Sequence, residues 1–171
     1  MDEAISDPED YLLADTREVP NNWLLPLLFY RNVLAVPAQK LAAKFESLFS
    51  RHGWLPAWRY GIYNFVHYHS TAHEVIGVFQ GRAKVRFGHT KGLETWLEAG
   101  DVVVIPAGVS HQCLEHSEDF QGVGAYPRGQ EPDMMKGLSQ ERPAADQRIE
   151  KVPLPNADPV RGKNGPLMRL W

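Results

Sequence analysis

A single cysteine, Cys113, stands among the 171 residues. It excludes an intrachain disulfide and every metal site built on paired cysteines. Long apolar runs are also missing. The longest, Trp23–Tyr30, is broken by Pro26 and falls well short of the ~20 residues that cross a bilayer as a helix. Basic charge is not in excess: 18 Lys and Arg against 21 Asp and Glu give a net charge of −3, so nothing marks a nucleic-acid partner. The opening MDEAISDPEDYLL is acidic and has no apolar core behind basic residues, so it does not read as a signal peptide. The expectation is a soluble, cytoplasmic protein with no membrane and no nucleic acid as partner.

Turn formers, in contrast, are plentiful. Thirteen prolines and fourteen glycines punctuate the chain as an all-β fold requires. With 43% hydrophobic residues, the length suits one domain with a core and is short for two. We expect a single domain over 1–171: an N-terminal arm and helix over 1–58, a β core over 59–127, and a Pro/Gly-rich extension over 128–171 packing on that core. Trp23–Leu34 is apolar and β-compatible, and Pro26 places it at a sheet edge or in a surface groove. Pro37–Arg51 is the best helix, because Leu41, Phe45, Leu48 and Phe49 form one stripe and Gly53 follows as a stop. The tail ends in Leu167, Met168, Leu170 and Trp171, too apolar to hang free, so it should dock.

From Trp58 the apolar period becomes two. A strand there sends Tyr63, Phe65, His67 and His69 to one face and Ile62, Asn64, Val66 and Tyr68 to the other. Further strands are expected over Glu74–Phe79, Arg82–Phe87, Thr95–Leu97, Asp101–Ile105, His111–Leu114 and Phe120–Tyr126. His67 and His69 would stand side by side, Glu74 would return a carboxylate after a short turn, and His111 would arrive from another strand. Three neutral imidazoles and a carboxylate suit one divalent transition metal and leave coordination positions open. Iron, manganese, nickel, zinc and copper all accept that donor set.

The framework around these residues has a fixed spacing. Gly61, His67, His69, Glu74 and Gly81 form one line, and Gly100, Pro106, Gly108 and His111 form a second. Both lines resemble the two signature motifs of the cupin superfamily. The second departs only at its last position, where Glu115 replaces the usual asparagine. The helix end His52-Gly53-Trp54, the HYHSTAHEV stretch, Gly124-Ala125-Tyr126-Pro127 and the terminal Leu170-Trp171 further resemble the YjlB-like bacterial cupins. The resemblance implies a double-stranded β-helix, a small jelly-roll barrel with an amphipathic N-terminal helix and docked arms, and a metal near its centre. It implies His67, His69, Glu74 and His111 as the ligands, and a homodimer as a common assembly.

The pocket is expected to be walled by Tyr63, Phe65, Phe87, Ile76 and Val78. Arg59, in phase with Tyr63 and His67, points inward at its mouth or lies on the surface beside Trp58. Cys113 shares a face with His111 and is a buried filler, a redox group or a ligand. His73, beside Glu74, faces the other way as an outward or interface histidine, or else replaces or supplements Glu74 as a ligand or supports the ligands from behind. Whether the outward Val66, Tyr68, Val75 and Phe79 form a dimer face is open. These residues point to a metal-binding protein for a small-molecule ligand or substrate. It reads as an enzyme of oxygenase or isomerase type, or as a non-enzymatic binding or sensing protein. A metal-free epimerase of this fold is disfavoured, since it would not keep all four ligands.

Overall fold

Period-two stretches of the chain become strands, in a computed structural model that describes residues 6–171. The first five residues of the acidic N-terminal segment lie outside the described residues. In chain order the strands are β1 (Glu9–Leu13), β2 (Asn22–Tyr30), β3 (Trp58–Tyr60), β4 (Glu74–Gln80), β5 (Arg82–Phe87), β6 (Leu93–Glu98), β7 (Val102–Ile105), β8 (His111–His116) and β9 (Gln121–Ala125). Helix α1 (Ala38–Arg51) lies between β2 and β3, and the short α2 (Ala144–Ile149) and α3 (Leu167–Leu170) follow β9. Six strands form one sheet in the order β1-β2-β7-β4-β9-β3, and three form a second in the order β6-β5-β8. All ladders are antiparallel, which gives an all-β, two-sheet jelly roll.

The central strands of the larger sheet are buried on both faces. Val75, Val104, Val123 and Ala125 meet the apolar stripe of α1, where Leu41, Ala42, Phe45 and Phe49 are buried. On the other face Leu27, Phe29, Ile76, Val78, Val103 and Ile105 meet Ala83, Val85, Phe87, Leu97 and Cys113 of the smaller sheet. A strand covered on both sides needs apolar residues at every position, and β4 reads EVIGVFQ for that reason. β5 is covered on one side only and alternates, with Ala83, Val85 and Phe87 fully buried.

Three expectations need correction. β2 is not an edge strand; it pairs with β1 on one side and β7 on the other. Pro26 is tolerated because the β7 ladder covers only Leu28–Tyr30, while the β1 ladder is irregular beyond the Tyr11–Leu27 pair. The segment 61–73 is not a regular strand either. It carries isolated bridges, His67 to His111 and Tyr68 to Met135, and is otherwise irregular. The supposed outward face is covered by the chain itself: Val75 and Phe79 lie under α1, and Tyr68 lies under Met135, Ala145 and Ile149.

The tail docks as expected. Asp158 is fully buried and collects four donors. Its Oδ1 accepts the backbone N–H groups of Val160 (2.8 Å) and Arg161 (3.0 Å), and its Oδ2 accepts Leu167 N–H (3.0 Å) and the Tyr30 hydroxyl. Trp171 Nε1 donates to Pro26 O at 2.8 Å, and Trp54 Nε1 to Ala157 O at 2.9 Å. Asp158→Ala would strand these buried donors. It should lower the unfolding free energy by about 3 kcal/mol in urea denaturation; a loss within error would show that the tail contributes nothing to stability.

Candidate metal centre

His67 and His69 sit on an irregular segment, and the rest of the fold holds that segment in place. His67 exchanges backbone hydrogen bonds with His111, the first residue of β8, at 3.2 and 2.9 Å. Gly108 N–H donates to His69 O at 2.8 Å, so the Pro106–Gly108 turn is tied to the second histidine. Gly108 has φ 93°, and a Cβ there would strike Asn21 O, so the turn needs glycine. Glu74 opens β4. The four side chains thus come from one extended segment and two strands of different sheets.

Their geometry is tight. Ring centroids lie 4.1 Å apart for His67 and His111, 5.7 Å for His69 and His111, and 6.0 Å for His67 and His69. Each ring offers one nitrogen, and these lie within 4.8 Å of one another. Glu74 Oε2 is 3.3 Å from His69 Nε2 and 3.1 Å from His111 Nε2. All four residues are buried.

The protons decide what this cluster can hold. His67 Nδ1 lies 3.0 Å from Phe65 O, His69 Nδ1 2.5 Å from Asp133 O, and His111 Nδ1 3.2 Å from Val109 O. A carbonyl only accepts, so each Nδ1 carries the proton and each neutral ring keeps its Nε2 lone pair. Glu74 Oε2 is buried without a hydrogen-bond donor. Three nitrogen lone pairs and a carboxylate oxygen therefore face one another with no proton between them. A divalent transition metal satisfies such a set, and the carbonyls behind the rings are the outer partners that metal-binding histidines use.

The charges follow. Burial and the neighbouring His111 hold His67 down to about 3, so it stays neutral. Burial opposes ionisation of Glu74, but His69 and His111 outweigh it and keep the carboxyl below its ordinary range. Burial also opposes charge on His69, yet Glu74 lifts it above the usual histidine value. Without a cation, His69 is the ring that takes up a proton, which it shares with Glu74.

A cavity of about 440 Å³ opens onto this group. Tyr63 and Ile76 line it as expected, and His67, His69, Glu74 and His111 form its floor. Arg59 is at the rim, but its guanidinium is not in the pocket. It makes a two-pronged ion pair with Glu46 of α1, at 2.6 and 2.9 Å, and lies over the Phe79 ring. Arg59 pairs with Val123, whose side chain faces α1, so the phase counted back from His67 fails across the irregular residues that follow β3. Phe65 flanks the mouth, stacked 4.9 Å from Tyr63, and does not line the cavity. Phe87, Val78 and Cys113 lie in the inter-sheet core, not in the pocket wall. The Cys113 thiol contacts Glu115 O, and burial raises its pKa, as befits a filler. His73 is buried, not outward. Its Nδ1 accepts Ala107 N–H at 2.9 Å and its ring meets Trp171 at 4.8 Å, so it joins the Pro106–Gly108 turn to the docked tail.

Sequence reasoning missed Trp58, Tyr126 and the stretch 132–134, all of which line the cavity. Trp58 Nε1 donates to Tyr126 Oη at 2.9 Å. Asp133 accepts from His69 through its carbonyl and from Ser70 N–H at 2.6 Å through its carboxylate, while Thr71 Oγ1 accepts Asp133 N–H at 3.0 Å. Residues 132–134 have no apolar period, so only their docking reveals them. Trp58 carried a signal, since it alternates with Tyr60 away from the α1 face.

The family model described as Cupin matches residues 60–123. The uncharacterized protein YjlB of Bacillus subtilis (strain 168) is 39% identical over 163 residues, 95% of this chain and 96% of that protein. Among solved structures, the chain is similar to an acireductone dioxygenase from Bacillus anthracis with cadmium in its active centre. That match has 15% identity and a TM-score of 0.46, over 63% of this chain and 82% of the other. It is also similar to the dTDP-6-deoxy-D-glucose-3,5-epimerase of Legionella pneumophila, at 13% identity and a TM-score of 0.39, over 71% and 72% of the two chains. Neither structure assigns an activity here.

The His69–Glu74 pair sets a pH dependence for metal-free protein. A raised histidine stabilises below its ordinary 6.5 and loses that as pH rises through its folded value; a depressed carboxyl stabilises above its ordinary 4.5 and loses that as pH falls. The stability difference between chelator-treated wild type and Glu74→Gln should therefore be largest between pH 4.5 and 6.5. Urea titrations across pH check this, and a difference that does not vary with pH would contradict it.

Proposed function

The chain belongs to the cupin superfamily, with YjlB as a relative along nearly its whole length, and on that premise we propose a metal-dependent enzyme acting on a small molecule, of oxygenase or isomerase type. One divalent transition metal would be held by His67, His69, Glu74 and His111. The observation that carries this reading is the convergence of buried acceptors with no donor among them. Bound there, the ion supplies a Lewis acid for a carbonyl or hydroxyl, or a place to activate dioxygen.

The protein supplies the rest. Carbonyls of Phe65, Val109 and Asp133 orient the rings, so the Nε2 lone pairs are arranged before any ligand arrives. The walls exclude bulk water from all but the open side. Tyr126 is the acid that such a site needs. Burial and the Glu74 carboxylate push its phenol above the ordinary tyrosine value, so it carries its proton at neutral pH. Its oxygen accepts from Trp58 and its O–H is directed toward Glu74, where a ligand entering the cavity would meet it as a donor. A non-catalytic binding or sensing protein would use the same metal and cavity, with Tyr126 as a recognition group only.

Elemental analysis of protein purified without added metal should find close to one transition metal per chain, and His69→Ala should lose it. Chelation should lower the melting temperature of the wild type, since a ligand at a hundred times its Kd contributes about 2.7 kcal/mol. Metal-free wild type with unchanged melting would remove the site from consideration.

A further inference from the structure

We infer that the pocket takes a flat, largely apolar ligand of aromatic-ring size, uncharged apart from the polar head it presents to the metal. This rests on the metal reading above and goes beyond it, because it follows from the walls and not from the floor. Arg59 is the one cation among the described residues that line the cavity, and Glu46 holds its guanidinium on the α1 side. Asp133, the acid besides Glu74, is occupied by Ser70. Among the described residues that line the cavity no charged group is left over to grip a phosphate, a second carboxylate or an ammonium; Lys136 lies outside that lining, with its ammonium over the Phe65 ring at 5.2 Å.

What remains is carbon surface, and part of it is fixed. Trp58 on β3 lies opposite Gly124 on β9, and its indole covers the glycine so closely that a Cβ there would overlap the ring. The indole N–H is held by Tyr126 Oη. A ring anchored at both its face and its edge is a preorganised wall. Tyr60, Tyr63 and Phe65 then run outward from the site. They stay 62%, 42% and 37% exposed, with Tyr60 and Tyr63 centroids 6.0 Å apart and Tyr63 and Phe65 stacked at 4.9 Å. Tyr63 stands edge-on to His67 at 5.3 Å. Three neighbouring aromatics left at the surface, leading to a buried polar centre, offer stacking area to a ligand that enters. The volume, about 440 Å³, suits a small organic molecule.

Hydroxamates separate wall from floor, because their head binds divalent metals whatever their tail. Isothermal titration of metal-loaded protein should show benzohydroxamate binding about tenfold or more tighter than acetohydroxamate. A para-carboxylate on the benzohydroxamate should remove that gain. Tyr63→Ala, at an exposed position, should weaken benzohydroxamate several-fold and leave acetohydroxamate unchanged; Trp58→Leu should do the same. Equal affinities, a preference for the carboxylated probe, or a preference untouched by both variants would overturn the inference. Failure of both probes on protein that holds one metal per chain would also overturn it. Failure of both on protein that elemental analysis shows to take up no metal would instead overturn the metal reading.

Discussion

Four lone pairs point at one place between two sheets, and no proton donor stands among them. That is the constraint on which the interior depends. A buried carboxylate oxygen without a donor is expensive, and so are imidazole nitrogens turned toward it. The chain commits each Nδ1 to a backbone carbonyl, so a neutral ring has no proton to turn inward, and without a cation only a protonated His69 can donate to Glu74. The arrangement is costly as a piece of core and economical as a cation site, which is why the donor set weighs more than any single distance.

The jelly roll makes this possible by keeping ligands on separate elements. Glu74 belongs to the larger sheet, His111 to the smaller, and His67 and His69 to a segment tied to both sides. α1 and the tail cover the outer face of the larger sheet, so the inner face can lose packing to a cavity. The tail is part of the same device. Asp158 gathers it, and His73 and Trp171 connect it to the turn before His111. The stretch after β9 reaches the centre itself, through the Asp133 carbonyl on His69.

Much of this was legible in the chain. The spacing of His67, His69, Glu74 and His111 within its glycine and proline framework identified the fold, because those turns admit few other residues. α1 and most strands followed from their periods. Period two does not run through the irregular segment, so it leaves Arg59 open between the mouth and the surface; phase is lost between Tyr60 and His67, and the guanidinium lies with Glu46 of α1. Phe87 and Cys113 have the inward parity, but parity does not say how far along the barrel a side chain sits, and both fell into the core. His73 is buried against Trp171, a cover that no local pattern in the sequence shows. Asp133 is invisible as a site residue because a local pattern carries no information on which distant loop closes over a pocket, whereas Trp58 shows itself only through its alternation with Tyr60.

X-ray absorption fine structure on the purified protein tests the central claim most directly, because it reads the donors themselves. The account predicts a first shell of nitrogen and oxygen at roughly 2.0–2.2 Å, with the outer-shell scattering of three imidazoles, and loss of one of the three in His111→Ala. A shell containing sulfur, or one without imidazole scattering, would contradict it.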